Sequence, residues 1–124
     1  MKYTATLEEE NKEIAKRYKD LLKVTYEVLS KKDKVLIRKA FDIAVDAHSN
    51  QRRKTGEPYI YHPIAVAKIV AMEIGLGATS IAAALLHDVV EDTEYTIGDM
   101  EHLFGETIAR IVNGLTKISR LNKE

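Results

Sequence analysis

Two histidines and a short acidic cluster are the residues of this sequence whose types and spacing could do chemistry. His87 and Asp88 are adjacent at the end of an apolar run, and Glu91 and Asp92 follow one helical turn later. Residues three and four positions apart share a face of a helix, so these carboxylates should lie within about one turn of one another. Carboxylates this close repel each other, and a divalent cation relieves the repulsion. Imidazole and carboxylate groups suit Mn²⁺, Fe²⁺ or Zn²⁺.

A third candidate ligand for the same cation is His62, which directly precedes Pro63 at the start of a predicted buried helix. A side chain at the start of a helix has a well-defined direction, and the loop before it can form a pocket wall. Composition and spacing alone leave a second interpretation equally open. In that interpretation the histidines are hydrogen-bonded core residues and the acidic cluster is a solvated helix end, although negative charge is unfavourable there.

Helices are the elements that must position these residues. Glycine (6 residues) and proline (2 residues) are scarce, and apolar residues recur at intervals of three and four, without convincing strand alternation. We therefore predict an all-α fold, a compact bundle of about six helices. A single partial domain is predicted over residues 1–124, with an N-terminal helix in residues 1–32 and the motif region in residues 33–118.

The predicted helix boundaries come from capping patterns. Thr6 with Glu9 and Thr96 with Asp99 have the spacing of capping boxes. The first of these opens a helix predicted to continue to Ser30. Further helix starts are predicted at residues that cap or tolerate a first turn, which are Asp33, Pro63, and Thr79 or Ser80. The helix after Pro63 is predicted to be buried nearly all round to Ile74, and the central helix is predicted to continue unbroken to Val90.

The composition excludes several classes of protein. The 19 Lys and Arg residues balance the 19 Asp and Glu residues, so the chain lacks the basic excess of a nucleic-acid-binding protein. Hydrophobic residues make up 45% of the chain, which argues against disorder, and the lack of cysteine excludes a thiolate site. The N-terminus does not resemble a signal peptide, and no apolar run is long enough to span a membrane. We therefore expect a cytoplasmic protein that binds neither nucleic acid nor membrane.

Several motifs together resemble those of HD-domain metal phosphohydrolases, and more narrowly the hydrolase domain of the RelA/SpoT family, which degrades the alarmone (p)ppGpp. The similarity covers roughly Phe41 to Ile118. The residues that carry it are Ala47-His48, Gln51, Arg53 to Ile60, His62 to Ala67, Ala82 to Thr93, Phe104-Gly105 and Gly114 to Lys117. The match extends well beyond the adjacent histidine and aspartate, so it is specific to this family.

The resemblance implies a role for each residue of the acidic and histidine cluster. His62, His87 and Asp88 would be metal ligands, and Mn²⁺ is the usual ion of the family. Glu91 and Asp92 would orient or deprotonate the attacking water. These roles agree with general chemistry, because a metal ion activates water and a nearby carboxylate can accept its proton.

The resemblance also implies a substrate and a reaction. Arg53 and Lys54 would hold the guanine nucleotide, and Thr55 is a weaker candidate contact. The reaction would be hydrolysis of the 3′-pyrophosphate of (p)ppGpp to GDP or GTP and pyrophosphate. Two alternatives remain, which are another HD-type nucleotide phosphohydrolase and a non-catalytic nucleotide-binding or helical interaction module.

Five further polar or aromatic residues are assigned lesser roles. His48 is predicted to be a core or pocket-wall residue, and His102 an exposed helix residue. Tyr59 and Tyr61 flank the loop before the first ligand, and packing is the predicted role of both. Lys117 is a weak candidate for a nucleotide contact.

The family pattern includes a fourth metal ligand, an aspartate within a motif of the form Asp-Arg-x-His-Asn, which this sequence does not contain. We therefore expect the chain to be the front part of a hydrolase domain, with weakened metal affinity and little or no hydrolysis. The apolar surface left open on the central helix could be covered by a second copy, which predicts a homodimer.

Overall fold

The computed structural model describes the backbone of residues 2–123, and the side chains of that range except those of residues 119, 120, 122 and 123. The helices, in chain order, are α1 (Leu7–Val24), α2 (Lys31–Ala47), α3 (Tyr61–Ala71), α4 (Ala78–Leu86), α5 (Val89–Asp92), α6 (Ile97–Phe104) and α7 (Glu106–Lys123). The described residues form no strand, only an isolated antiparallel bridge between Arg52 and Pro58. The predicted all-α fold of about six helices is confirmed, since α5 is a single turn.

The N-terminal helix begins as predicted and ends earlier than predicted. The Thr6 hydroxyl accepts from the Glu9 N–H at 3.2 Å, and the Glu9 carboxylate accepts from the Thr6 N–H at 3.1 Å. α1 ends at Val24, whereas the prediction extended it to Ser30. The next residues leave the helix because the Thr25 hydroxyl donates to the Leu21 carbonyl. The following N–H, that of Tyr26, donates to the carbonyl of Ala71 at 2.7 Å, at the end of α3.

The predicted N-cap of α2 is wrong by three residues. Ser30 is the N-cap, and its hydroxyl accepts from the Asp33 N–H at 3.1 Å. Asp33 is the third helical residue, and its carboxylate accepts from the Ser30 N–H at 2.9 Å. Its role is therefore the return hydrogen bond of a capping box.

Helix α3 begins two residues before the predicted start and is less buried than predicted. It starts at Tyr61, so Pro63 occupies the third helical position, where a missing N–H is still harmless because the first four have no helical partner. One side of α3 faces solvent, and Ile69 is 60% exposed. Ile74 lies beyond the end of α3 and is 75% exposed.

Helix α4 is the centre of the bundle. It packs against α2, α3 and α7, and all nine of its residues except Thr79 and Ser80 are buried. Its N-cap is Gly77, which offers no side-chain hydrogen bond, so the predicted caps at Thr79 or Ser80 are wrong. The predicted continuous helix to Val90 is also wrong, because α4 ends at Leu86 and α5 begins at Val89.

The C-terminal helices complete the bundle and leave one apolar side exposed. The Thr96 and Asp99 capping box is confirmed at the start of α6. Apolar side chains at least one-third exposed on α3, α7 and the turn after α3 are Ile69, Met72, Ile74, Leu76, Ile111, Leu115, Ile118 and Leu121. The homodimer stays a prediction. Among the described residues, no helix combines the length and the apolar character that crossing a bilayer requires.

Candidate metal centre

The break between α4 and α5 presents His87 and Asp88 to one side of the bundle. The His87 Nδ1 lies 2.6 Å from the Ala84 carbonyl oxygen. Because a carbonyl only accepts, Nδ1 is the donor. In an unbroken helix that carbonyl would accept from the Asp88 N–H. The His87 imidazole and the His87 backbone N–H, the latter at 3.5 Å, share this acceptor where the helix stops.

Three potential ligand atoms converge at this break. The His87 Nε2 lies 3.1 Å from Asp88 Oδ2, and the His62 Nε2 lies 3.8 Å from the same oxygen. One ligand atom from each of these residues lies within 4.8 Å of the other two. An ion about 2.0–2.2 Å from each ligand would need ligand atoms roughly 3–4.4 Å apart. The distances of 3.1 and 3.8 Å to Asp88 lie within that range, so the His62, His87 and Asp88 cluster is a candidate site for a small divalent cation.

The orientation of the His87 ring suits a metal ligand. With Nδ1 donating to Ala84, the lone pair of the neutral ring lies on Nε2, which faces Asp88. Burial lowers the pKa of His87, but the hydrogen bonds with Asp88 and Ala84 outweigh it and the net pKa is raised. A bound cation would take the place of the proton at Nε2, because a metal ligand must be deprotonated.

Asp88 is the buried charge around which the cluster is arranged, with 7% of its surface exposed. Burial raises its pKa, but hydrogen bonds from His87 and Tyr59 outweigh burial and lower the pKa to about 2. The Tyr59 hydroxyl donates to Asp88 Oδ2 at 2.6 Å. Packing is therefore an incomplete description of Tyr59, and no local sequence signal marks its contact with Asp88, which spans 29 positions.

His48 lies behind Tyr59, as predicted for a pocket-wall residue. It is 2% exposed, and its ring centroid lies 4.8 Å from that of Tyr59. Its Nδ1 meets Gln51 Oε1 at 2.7 Å, and Gln51 Nε2 donates to the Asp92 carbonyl at 2.6 Å. Gln51 therefore joins the loop of residues 49–60, hereafter the 49–60 loop, to the turn that carries the acidic cluster.

Glu91 and Asp92 lie on the single turn of α5, directly after the predicted ligand pair. The Asp92 Oδ2 is 3.5 Å from the Tyr59 hydroxyl, so Asp92 lies beside the same hydroxyl as Asp88. Asp92 is exposed and Glu91 is half-buried. A water molecule near this turn would meet carboxylate acceptors.

The predicted substrate residues lie on the 49–60 loop, which ends next to His62. Arg53, Lys54 and Thr55 are all exposed. Burial lowers the pKa of His62, Asp88 opposes this effect, and the Arg53 charge lowers it further. Arg53 is therefore close enough to the cluster to affect a ligand electrostatically.

Three predicted residues remain. Tyr61 is 7% exposed, and the Arg17 guanidinium carbon lies 4.0 Å from its ring centre, so packing is confirmed. His102 is exposed on α6, as predicted. Lys117 is exposed on α7, and its nucleotide contact stays a prediction.

Comparisons with known proteins found a matching family model and several similar proteins. A family model described as an HD domain matches residues 40–124. A probable guanosine-3′,5′-bis(diphosphate) 3′-pyrophosphohydrolase of Synechocystis sp. is 53% identical over 70% of this chain and 11% of its own length. The bifunctional (p)ppGpp synthase/hydrolase SpoT of Escherichia coli is 52% identical over 68% of this chain and 12% of its own. A guanosine-3′,5′-bis(diphosphate) 3′-pyrophosphohydrolase of Vibrio cholerae is 41% identical over 84% of this chain and 15% of its own. The chain thus spans 11% to 15% of these relatives' lengths.

Proposed function

Because this chain belongs to the HD-domain family and is similar to proteins named as (p)ppGpp 3′-pyrophosphohydrolases, we propose that it positions a divalent cation and the alarmone for hydrolysis. The bond to be broken is that of the 3′-pyrophosphate, and the products are GDP or GTP and pyrophosphate. The observation that carries the proposal is the approach of His62, His87 and Asp88 ligand atoms to within 4.8 Å of one another.

The proposed cation is Mn²⁺, held by His62, His87 and Asp88. A divalent cation here lowers the pKa of a water molecule and polarises a phosphoryl oxygen. The protein holds Asp88 ionised and oriented through the Tyr59 hydroxyl. It also fixes the His87 ring through the Ala84 carbonyl.

The proposed proton acceptors are Glu91 and Asp92, one helical turn beyond Asp88. Asp92 is exposed and so is accessible to solvent next to the substrate position. Arg53 and Lys54 supply positive charge for the phosphate groups, and an arginine can also stack on a guanine base. Thr55 offers a hydroxyl to the same nucleotide.

Isothermal titration with Mn²⁺ tests the metal position. His87→Ala removes one ligand and should weaken Mn²⁺ affinity by more than the roughly 10- to 100-fold seen for outer-shell changes. His102→Ala is the matched control, because it removes an exposed imidazole on α6. Equal Mn²⁺ affinity in the unmodified chain and in both variants would overturn the proposed ligand set.

A nucleotide panel tests the substrate. In the presence of Mn²⁺ we expect the chain to bind ppGpp more tightly than GTP and to release pyrophosphate slowly, because the sequence lacks the fourth ligand motif. His87→Ala should abolish that release. Release of phosphate from ordinary nucleotides would instead favour another HD-type phosphohydrolase. Binding of ppGpp with no pyrophosphate release at any concentration would favour the non-catalytic module.

A further inference from the structure

An ion pair between a buried carboxylate and an exposed guanidinium, outside the metal cluster, joins the N-terminal helix to the 49–60 loop. Glu10, in the first turn of α1, is 4% exposed. Its carboxylate accepts from the Arg52 guanidinium through both oxygens, with Arg52 Nη2 3.1 Å from Oε1 and Nη1 bonded to Oε2. The Tyr3 hydroxyl donates to Oε2 at 2.6 Å. The Arg52 and Tyr3 hydrogen bonds lower the pKa of Glu10, so the carboxylate is charged.

The Arg52 guanidinium also forms a hydrogen bond within the turn of the 49–60 loop. Arg52 Nη1 lies 3.3 Å from the Gly56 carbonyl oxygen, to which it donates. Within the turn, the Arg53 N–H donates to the Glu57 carbonyl and the Gly56 N–H donates to the Arg53 carbonyl, both at 2.9 Å. Arg52 therefore connects α1 to both arms of a turn that already closes on itself.

Tyr3 packs directly against this turn. Gly56 has a φ of 96°, which favours glycine, and a Cβ added there would lie 3.1 Å from the Tyr3 Cβ. Tyr3, in the N-terminal segment, thus covers the 49–60 loop at Gly56, where the loop reverses direction. The loop holds this tight contact only if residue 56 has no side chain.

The residue that follows Arg52 gives the anchor its functional consequence. Arg53 is joined directly to Arg52, and its N–H is held in the turn by the Glu57 carbonyl. The position of Arg52 therefore fixes the backbone from which the Arg53 side chain extends. Arg53 is close enough to the metal cluster for its charge to act on His62.

We propose that Tyr3, Glu10 and Arg52 form an N-terminal anchor whose role is to hold the 49–60 loop in the conformation that binds the nucleotide. These are positioning residues, because they act through Arg53 and Lys54. This inference rests on the proposed function, which makes the loop a nucleotide-binding element. An unanchored loop samples other conformations, and the apparent affinity falls by the fraction of time spent in the binding conformation.

Glu10→Gln tests the anchor because it removes the charge and keeps the shape of the side chain. Glu8→Gln is the matched control, since Glu8 is on the same helix and pairs with Lys12 at 3.5 Å, where both side chains are exposed. The first readout is hydrogen exchange at the Arg53 and Gly56 amides. We expect faster exchange in Glu10→Gln and no change in Glu8→Gln.

The second readout is binding, measured by titration. We expect the affinity for ppGpp in the presence of Mn²⁺ to fall about tenfold in Glu10→Gln, with Mn²⁺ affinity unchanged. Tyr3→Phe, which removes one donor, should give a smaller effect in the same direction and serves if Glu10→Gln fails to fold by circular dichroism. Unchanged loop exchange, equal effects in Glu8→Gln, or an equal loss of Mn²⁺ affinity would overturn the anchor.

The two proposals fail in different ways. If the unmodified chain does not bind ppGpp, the proposed function fails. The exchange comparison then still decides whether the anchor orders the loop. If the unmodified chain binds ppGpp and Glu10→Gln binds it equally well, the anchor fails while the proposed function stands.

Discussion

Asp88 is the residue at which the separate parts of the cluster meet. It lies 3.1 Å from His87 Nε2 and 3.8 Å from His62 Nε2, and it accepts from the Tyr59 hydroxyl at 2.6 Å. A buried carboxylate needs such partners, because an ion without them is expensive to remove from water. The hydroxyl bonds Oδ2, the same carboxylate oxygen from which both imidazole distances are measured.

Replacing Tyr59 with phenylalanine should weaken Mn²⁺ binding about tenfold, the lower end of the range for groups that orient a metal ligand. The change removes the hydroxyl donor to Asp88 and keeps the ring that packs on His48. Isothermal titration measures the affinity.

Tyr95→Phe is the control for that experiment. Its hydroxyl lies 3.3 Å from Asp46 Oδ2, to which it donates at an exposed site on another part of the bundle. Mn²⁺ affinity should be unchanged in Tyr95→Phe. A Tyr59→Phe chain that binds Mn²⁺ like the unmodified chain would show that the hydroxyl does not position the ligand.

The residue types of the cluster could be predicted, but the role of Tyr59 could not. The His87-Asp88 pair and the acidic residues one turn later are close in sequence, so helical periodicity places them together. Tyr59 meets Asp88 across 29 positions of sequence. That contact depends on how the 49–60 loop folds back over α5, which no local pattern records.

Among the helices, local capping explains the boundaries that were predicted well. The capping boxes at Thr6 and Thr96 involve residues three positions apart, so they can be identified from the sequence alone. The end of α1 is different, because the Tyr26 N–H leaves the helix to bond the carbonyl of Ala71. At the end of α4, the His87 imidazole and the His87 backbone N–H both donate to the Ala84 carbonyl.

Thr96→Ala should lower the free energy of unfolding by about 1 kcal/mol, the typical cost of losing an N-cap hydroxyl. The hydroxyl accepts from the Asp99 N–H at 3.0 Å, and alanine leaves that donor without its cap. Urea unfolding followed by circular dichroism measures the change.

Thr79→Ala is the matched control at the start of α4. The helix there has no side-chain cap hydrogen bond and begins after Gly77, so we expect little or no loss of stability. If Thr79→Ala costs as much as Thr96→Ala, then Thr79 caps α4 after all and the N-cap at Gly77 is incorrect.

For the whole molecule, burial of His48 predicts that stability falls in mild acid. Burial lowers the pKa of His48 below the ordinary value of 6.5, while Gln51 and the charges of Asp88 and Asp92 oppose the shift. The buried neutral ring of His48 therefore contributes fully to the free energy of unfolding above pH 6.5. This contribution is lost as the pH falls from 6.5 through the folded-state pKa of His48. We expect the free energy of unfolding to be lower at pH 5 than at pH 8.

His48→Asn isolates this effect, because asparagine can still donate to Gln51 but does not titrate. The loss of stability between pH 8 and pH 5 should be smaller in this variant. His87 has a raised pKa and contributes in the opposite direction, losing its stabilisation as the pH rises above 6.5. The comparison between variants removes that shared contribution, and parallel pH profiles would exclude His48 as the cause.

For the whole molecule, the fold class could be predicted from the sequence more reliably than the packing of the helices against one another. The scarcity of glycine and proline and the helical spacing of apolar residues are properties of the whole chain, and they led to the all-α bundle. The exposure of Ile69 depends on which neighbours α3 lacks, so it could not be predicted from α3 alone.

The two attachments of the 49–60 loop also bear on the order in which the protein folds. Arg52 meets Glu10 across 42 positions, and Gln51 meets the Asp92 backbone across 41. Contacts this distant along the chain require large loops to close, so they form once the helices have docked. The 49–60 loop should accordingly be late to order during folding, and substitutions in it should mainly accelerate unfolding while the folding rate stays nearly constant.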